Sequence, residues 1–176
     1  LLGSMNHRSL APRLVESLMP DPEAIKTAKS QAVRYLAYRD RSEKELTLHL
    51  GKKGHTPSVI EKALQYLRDL NYINDQRFAM EWGRSRVEGK KFGKGRVRQE
   101  LFAKGVASHI IETTLETLYN SHPERDLAQA CASKKLASMH GLDPEKKMRR
   151  LVQYLQRRGF SADIIYETTT GHGANE

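Results

Sequence analysis

The chain has 176 residues, 30 of them Lys or Arg and 21 Asp or Glu, which gives a formal net charge of +9 at neutral pH. With 38% apolar and 29% charged residues, the composition suits a folded, heavily solvated protein of one or two ordinary domains, and the surplus positive charge makes an anionic partner the first expectation. The single cysteine, Cys131, excludes a disulfide within the chain and a cysteine-based zinc site, and the apolar runs are too short for a membrane span.

Leu1 to Ser4 precede Met5 and read as the remnant of a cleaved tag, and Met5 to Ser9 carry no hydrophobic signal segment, so a cytoplasmic protein is expected. Asp21-Pro22 is a helix start, with Ile25, Ala28, Ala32 and Leu36 on one face. Ser42 and Glu45 form a capping box for a second helix whose Leu46 and Leu50 lie one turn apart, and Gly54 stands where a left-handed residue ends it. Thr56 with Pro57 then opens a third helix bearing Val59, Ile60, Ala63, Leu64 and Leu67.

This unit repeats. Leu46-x3-Leu50-x2-Lys53-Gly54 recurs as Val97-x3-Leu101-x2-Lys104-Gly105 and as Leu151-x3-Leu155-x2-Arg158-Gly159, with spacings of 51 and 54 residues. Each glycine is followed by a similar sequel: Val59-Ile60, then Ile110-Ile111, then Ile164-Ile165. A further helix precedes each pair, starting near Asp75 in the second copy, with Phe78, Ala79, Trp82 and Arg86, and at Ser121 with Glu124 in the third. The expected fold is therefore all-α: three tandem three-helix repeats at 21–74, 75–120 and 121–170, about nine helices, elongated and open to curvature, with tails at 1–20 and 171–176. A module of about fifty residues buries little apolar area alone, so neighbouring modules are expected to support one another.

Catalytic patterns are poor. The seven histidines never fall at the i, i+3 or i, i+4 spacing of two ligands on one helical face. Gly93-Lys94-Gly95 lacks the third glycine of a dinucleotide loop and the Ser or Thr of a Walker loop, and Ile73 and Met80 stand where a calcium loop needs oxygen ligands. Cys131 lies among small helical residues and reads as a core thiol. No enzyme, metal or cofactor is expected.

The positive charge, by contrast, is clustered. Between Trp82 and Lys104 stand Arg84, Arg86, Lys90, Lys91, Lys94, Arg96, Arg98 and Lys104 against only Glu88 and Glu100. Such density calls for a compensating anion, and a Gly-rich turn from Gly89 to Gly95 would let backbone approach a polyanion. Trp82 and Phe102 fall on apolar faces and are expected in the core rather than as stacking platforms. Lys146, Lys147, Arg149, Arg150, Arg157 and Arg158 make a second basic segment in the last module.

Arg41-Ser-Glu-Lys-Glu-Leu46 with Leu50 and Lys53-Gly54, followed by Asn74-Asp-Gln-Arg-Phe78-Ala79, Trp82, Arg86, Gly93, Arg96-Val-Arg-Gln-Glu-Leu101 and Lys104-Gly105, resembles the RecX family of recombination regulators. The resemblance spans about residues 24 to 120; beyond it only the Leu155, Arg158-Gly159 and Ile164-Ile165 framework continues. Lys94 departs from the family pattern, which often has Pro just after the glycine matching Gly93. The resemblance implies a bacterial cytoplasmic modulator, most often an inhibitor, of the RecA recombinase, seated in the groove of its filament on single-stranded DNA and acting on recombination, DNA repair and the SOS response. Under that reading the basic faces with Arg39, Arg41, Arg84, Arg86, Lys90, Lys91, Lys94, Arg96, Arg98 and Lys104 meet RecA or DNA, and a monomer is expected. Two alternatives stay open: a stand-alone protein binding DNA without sequence preference, and a helical scaffold for an unrelated acidic protein. Groove-reading by the helix after Gly105 is disfavoured, because it carries Glu112 and Glu116 and almost no basic residue.

Overall fold

The computed structural model describes residues 20–173; the tag and the tail expected before Pro20, and residues 174–176, lie outside the described residues. Among the described residues there are nine α-helices and no strand: α1 Pro22–Leu36, α2 Glu43–Lys52, α3 Pro57–Asp69, α4 Asp75–Lys90, α5 Lys94–Ala103, α6 Ser108–Ser121, α7 Glu124–Ala137, α8 Pro144–Arg157 and α9 Ala162–Gly173. The last helix extends through 171–173, where a tail was expected.

Local chemistry sets most boundaries. Asp21 accepts the Glu23 amide and Pro22 opens α1. The Ser42–Glu45 capping box is complete: the Glu45 amide donates to Ser42 Oγ at 3.2 Å and the Ser42 amide donates to Glu45 Oε2 at 3.3 Å. Ser42 is fully buried, so Ser42→Ala takes the side-chain acceptor from the Glu45 amide and is expected to lower stability by about 1–2 kcal/mol. Chemical denaturation followed by helical CD checks this. Asn74, one residue before the expected start, caps α4 by accepting the Arg77 amide at 2.9 Å. α4 begins at Asp75 as expected, but the start of α7 is shifted: α6 runs on through Ser121, Pro123 occupies the N-cap, and no side chain caps the helix.

The chain divides into two compact units that meet at Ile73 and Asn74. In the first, α1, α2 and α3 pack mutually. Ala28, Ala32, Leu46, Leu50, Ala63 and Leu67 form a core with no solvent exposure. Burying each such leucine is worth about 1.5–3 kcal/mol relative to leaving it in water.

The second unit contains two three-helix groups, α4–α6 and α7–α9, each packed internally, over one continuous apolar core that runs from Phe78 and Val97 to Leu151, Leu155 and Ile165. The joint between the groups is made of glycine. The Gly93 amide donates to the Arg158 carbonyl at 2.8 Å and the Gly95 amide to the Gly159 carbonyl at 3.0 Å. A Cβ on Gly93 would stand 2.5 Å from the Gly159 oxygen, and one on Gly159 would stand 2.2 Å from the Arg96 nitrogen. The backbones therefore touch only because side chains are missing.

This corrects the Gly-rich turn. Gly89 lies inside α4 and Gly95 inside α5, leaving Lys91 to Gly93 as the connection. The close approach of Gly93 and Gly95 is already taken by the third module's own backbone rather than left for a polyanion.

Candidate polyanion-binding faces

The four Arg residues among the eight Trp82–Lys104 cations each carry an internal carboxylate. Glu100 is the hub: Trp82 Nε1 donates to it at 3.1 Å, Arg86 Nε at 2.7 Å and Arg96 Nε at 3.2 Å. Burial pushes the Glu100 carboxyl up, but the Arg86 pair and the Trp82 and Arg96 hydrogen bonds outweigh it and hold the group below the usual carboxylate range. Arg98 grips Glu112 with two bonds of 2.9 Å, and Arg84 pairs with Glu81 at 3.1 Å. The compensation expected from a partner is thus supplied in part by α4, α5 and α6 themselves.

The aromatics divide. Trp82 is half-buried, with the Arg86 guanidinium 3.9 Å and the Lys104 ammonium 4.7 Å from its ring centre, so cations already occupy the ring. Phe102, expected in the core, is 69% exposed. Leu101 fills the inward position of α5, and the next residue is turned about 100° around the helix, toward water.

Lys94 occupies the first position of α5, and its amide donates to Glu124 Oε1 at 2.9 Å. Proline suits such a position because it has no amide to satisfy; here Lys94 brings an amide and Glu124, on α7, satisfies it. Glu124 therefore does not belong to a capping box with Ser121. Lys91 takes a left-handed backbone, φ 52°, to end α4. Its carbonyl accepts from Cys131 Sγ at 3.6 Å, and burial pushes that thiol up, away from the reactive thiolate.

In the first unit, Arg39 makes a two-pronged pair with Glu45 at 2.8 and 3.3 Å. Arg41 stacks on the Tyr35 ring at 4.0 Å, and its buried Nε has no hydrogen-bond partner.

The second basic segment is arranged differently. On α8, Lys146, Arg149, Arg150 and Arg157 are exposed and, with Gln153, fall on one stripe opposite the buried Leu151 and Leu155. The stripe is about 16 Å long at helical rise. None of these four cations makes an ion pair with a carboxylate among the described residues, in contrast to the Arg residues of α4 and α5. Beyond its end, Arg158 turns inward, donates to the Lys90 carbonyl and covers Tyr154 at 4.9 Å. This contact holds the end of α4 against Arg158, and Lys90 and Lys91 there are exposed and likewise make no ion pair among the described residues. Sequence reading located the segment but missed its stripe, which the i, i+3, i+4, i+7, i+11 spacing of 146, 149, 150, 153 and 157 encodes.

Three family models match the chain: RecX, first three-helix domain, over residues 28–67; second, over 74–115; and third, over 123–168. The regulatory protein RecX of Halorhodospira halophila is 36% identical over 144 residues, covering 81% of this chain and 86% of that relative. The regulatory protein RecX of Oceanobacillus iheyensis is 30% identical over 149 residues, covering 85% of this chain and 54% of the relative, so the chain spans about half the length of that larger protein. The crystal structure of RecX from Lactobacillus salivarius matches with a TM-score of 0.76 at 25% identity, covering 86% of this chain and 98% of that chain. No helix among the described residues is long and apolar enough to cross a membrane.

Proposed function

The chain belongs to the RecX family of regulatory proteins, and from that premise we propose that it modulates the RecA recombinase in the bacterial cytoplasm, as an inhibitor that lies in the groove of the RecA filament on single-stranded DNA. The observation that supports this reading best is the unpaired stripe Lys146, Arg149, Arg150 and Arg157, to which the exposed Lys90 and Lys91 at the end of α4 add further unpaired charge. Cations held at helical spacing with no carboxylate of their own repel one another, and a polyanion relieves that repulsion. A filament presents acidic protein surface and phosphates repeatedly, so modest contacts from successive modules add up.

Among the residues expected at the interface, Lys90, Lys91 and Lys94 are the direct contacts in this proposal. Arg39, Arg84, Arg86, Arg96 and Arg98 act first within the fold, through Glu45, Glu81, Glu100 and Glu112; Arg41 and Lys104 lie over Tyr35 and Trp82.

The test is co-sedimentation with preassembled RecA filaments on single-stranded DNA, beside the same DNA without RecA at matched salt, with filament ATP hydrolysis followed in parallel. Preferential retention on filaments together with slowed hydrolysis is expected. Equal, salt-sensitive retention on naked DNA with unchanged hydrolysis would instead identify a DNA-binding protein, and retention on neither would leave the scaffold reading.

A further inference from the structure

The first module carries a second kind of surface. A cleft of about 300 Å³ between α1 and α2 is lined by Gln31, Arg34, Tyr35, Tyr38, His49 and Lys53. Its wall is a ready-made stack: the Tyr35 and His49 rings lie 3.9 Å apart and 4° from parallel, and the Arg41 guanidinium covers the far face of Tyr35 at 4.0 Å. His49 therefore ends a three-layer pile with one ring face still uncovered by that pile. Tyr38, in the turn after α1, is 85% exposed. Arg34 and Lys53, at the same cleft, are exposed and make no ion pair among the described residues, and no carboxylate lines it.

We infer that this cleft is a stacking site for one base of single-stranded nucleic acid, the base lying against His49 and Tyr38 and its flanking phosphate between Arg34 and Lys53. Cations alone would suit any anion. The planar rings beside them distinguish a nucleotide from an acidic peptide, because every base has a π face and carboxylate side chains have none. Burial, together with Lys53, Arg41 and Lys52, favours the neutral form of His49, which makes the ring a stacking surface and leaves phosphate binding to Arg34 and Lys53. The volume is at the lower end of ligand sites, suited to one nucleotide rather than a helix. The inference stands apart from the recombinase reading, since it needs no second protein.

The experiment uses the full chain without RecA. Fluorescence anisotropy compares a labelled twelve-residue thymidine oligonucleotide with an abasic oligonucleotide of equal phosphate number, at several salt concentrations. The expected result is a preference of about 5- to 100-fold for the strand with bases, the range one stacked base supports. Tyr38→Ala, at a side chain almost wholly in water, is expected to remove most of that preference while leaving abasic binding unchanged. Arg34→Gln with Lys53→Gln is expected to weaken both strands equally and to flatten the salt dependence. Equal affinity of the native chain for both strands, or a preference that survives Tyr38→Ala, would overturn the assignment.

Discussion

Gly159→Ala is expected to destabilise the second unit by about 3–5 kcal/mol, whereas Gly54→Ala, at the equivalent place in the first module, is expected to cost about 1–2 kcal/mol. Both glycines are left-handed, with φ of +82° and +87°, so both variants carry the backbone penalty of a side chain in that region. The surroundings differ. Nothing lies within 4 Å of a Cβ built on Gly54, while one on Gly159 meets Arg96 nitrogen, Cβ and Cα at 2.2, 2.5 and 2.8 Å. The clash is with α5 itself, so α5 must move and the amide bonds from Gly93 and Gly95 to the third module must lengthen or break. Gly93 is buried, and its amide left without an acceptor adds about 1–3 kcal/mol. Trp82 is the sole tryptophan and sits in the second unit, so denaturation followed by its fluorescence reads the Gly159 variant directly. Gly54→Ala should leave that transition in place. Equal transitions for both variants would mean that the glycine joint does not hold the two three-helix groups together.

The other large expected effect concerns charge. Replacing Lys146, Arg149, Arg150 and Arg157 together with Gln is expected to weaken binding to a polyanion by about 100- to 1000-fold at 0.1 M salt, because each neutralised phosphate contact contributes about 0.9 to the log–log salt slope on duplex DNA. The fold should tolerate the change. The four side chains are exposed and break no native ion pair when neutralised, unlike Arg98, whose removal strands Glu112, or Arg86, whose removal leaves a mostly buried Glu100 without its closest cation. Thermal unfolding within about 2 °C of the native chain, beside a large loss of binding, is the pattern that assigns these residues to a partner.

How much of this was legible beforehand follows from the range of the interactions. Capping boxes, Pro at helix starts, left-handed glycines and apolar stripes act within a few residues, so Ser42, Thr56, Gly54, Gly105 and Gly159 and the Leu46–Leu50 pattern could be read in order along the chain. The third module's start misled because Ser121 and Glu124 have capping-box spacing. Glu124 instead satisfies the Lys94 amide on α5, thirty residues away in sequence, and no local pattern reveals that. The basic segment was visible, but its neutralisation was not: Glu100 reaches Arg86 across 14 residues and Glu112 reaches Arg98 across another 14. Gly93 and Gly95 read as loop glycines because their partner, Gly159, lies in another module. Phe102 shows a further limit of pattern reading, since one position of rotation on a short helix separates the core from water.

The claim that unpaired cations on α8 hold this protein on its partner is tested most directly by one titration. Binding of the native chain, the Lys146/Arg149/Arg150/Arg157→Gln variant and an Arg96/Arg98→Gln variant to RecA filaments on single-stranded DNA is measured as a function of salt, with naked duplex DNA in parallel. The α8 variant is predicted to lose about 3 to 4 from its duplex salt slope and nearly all filament retention, and the Arg96/Arg98 variant to keep most of both. The reverse ranking, with the α8 variant bound like the native chain, would contradict the account.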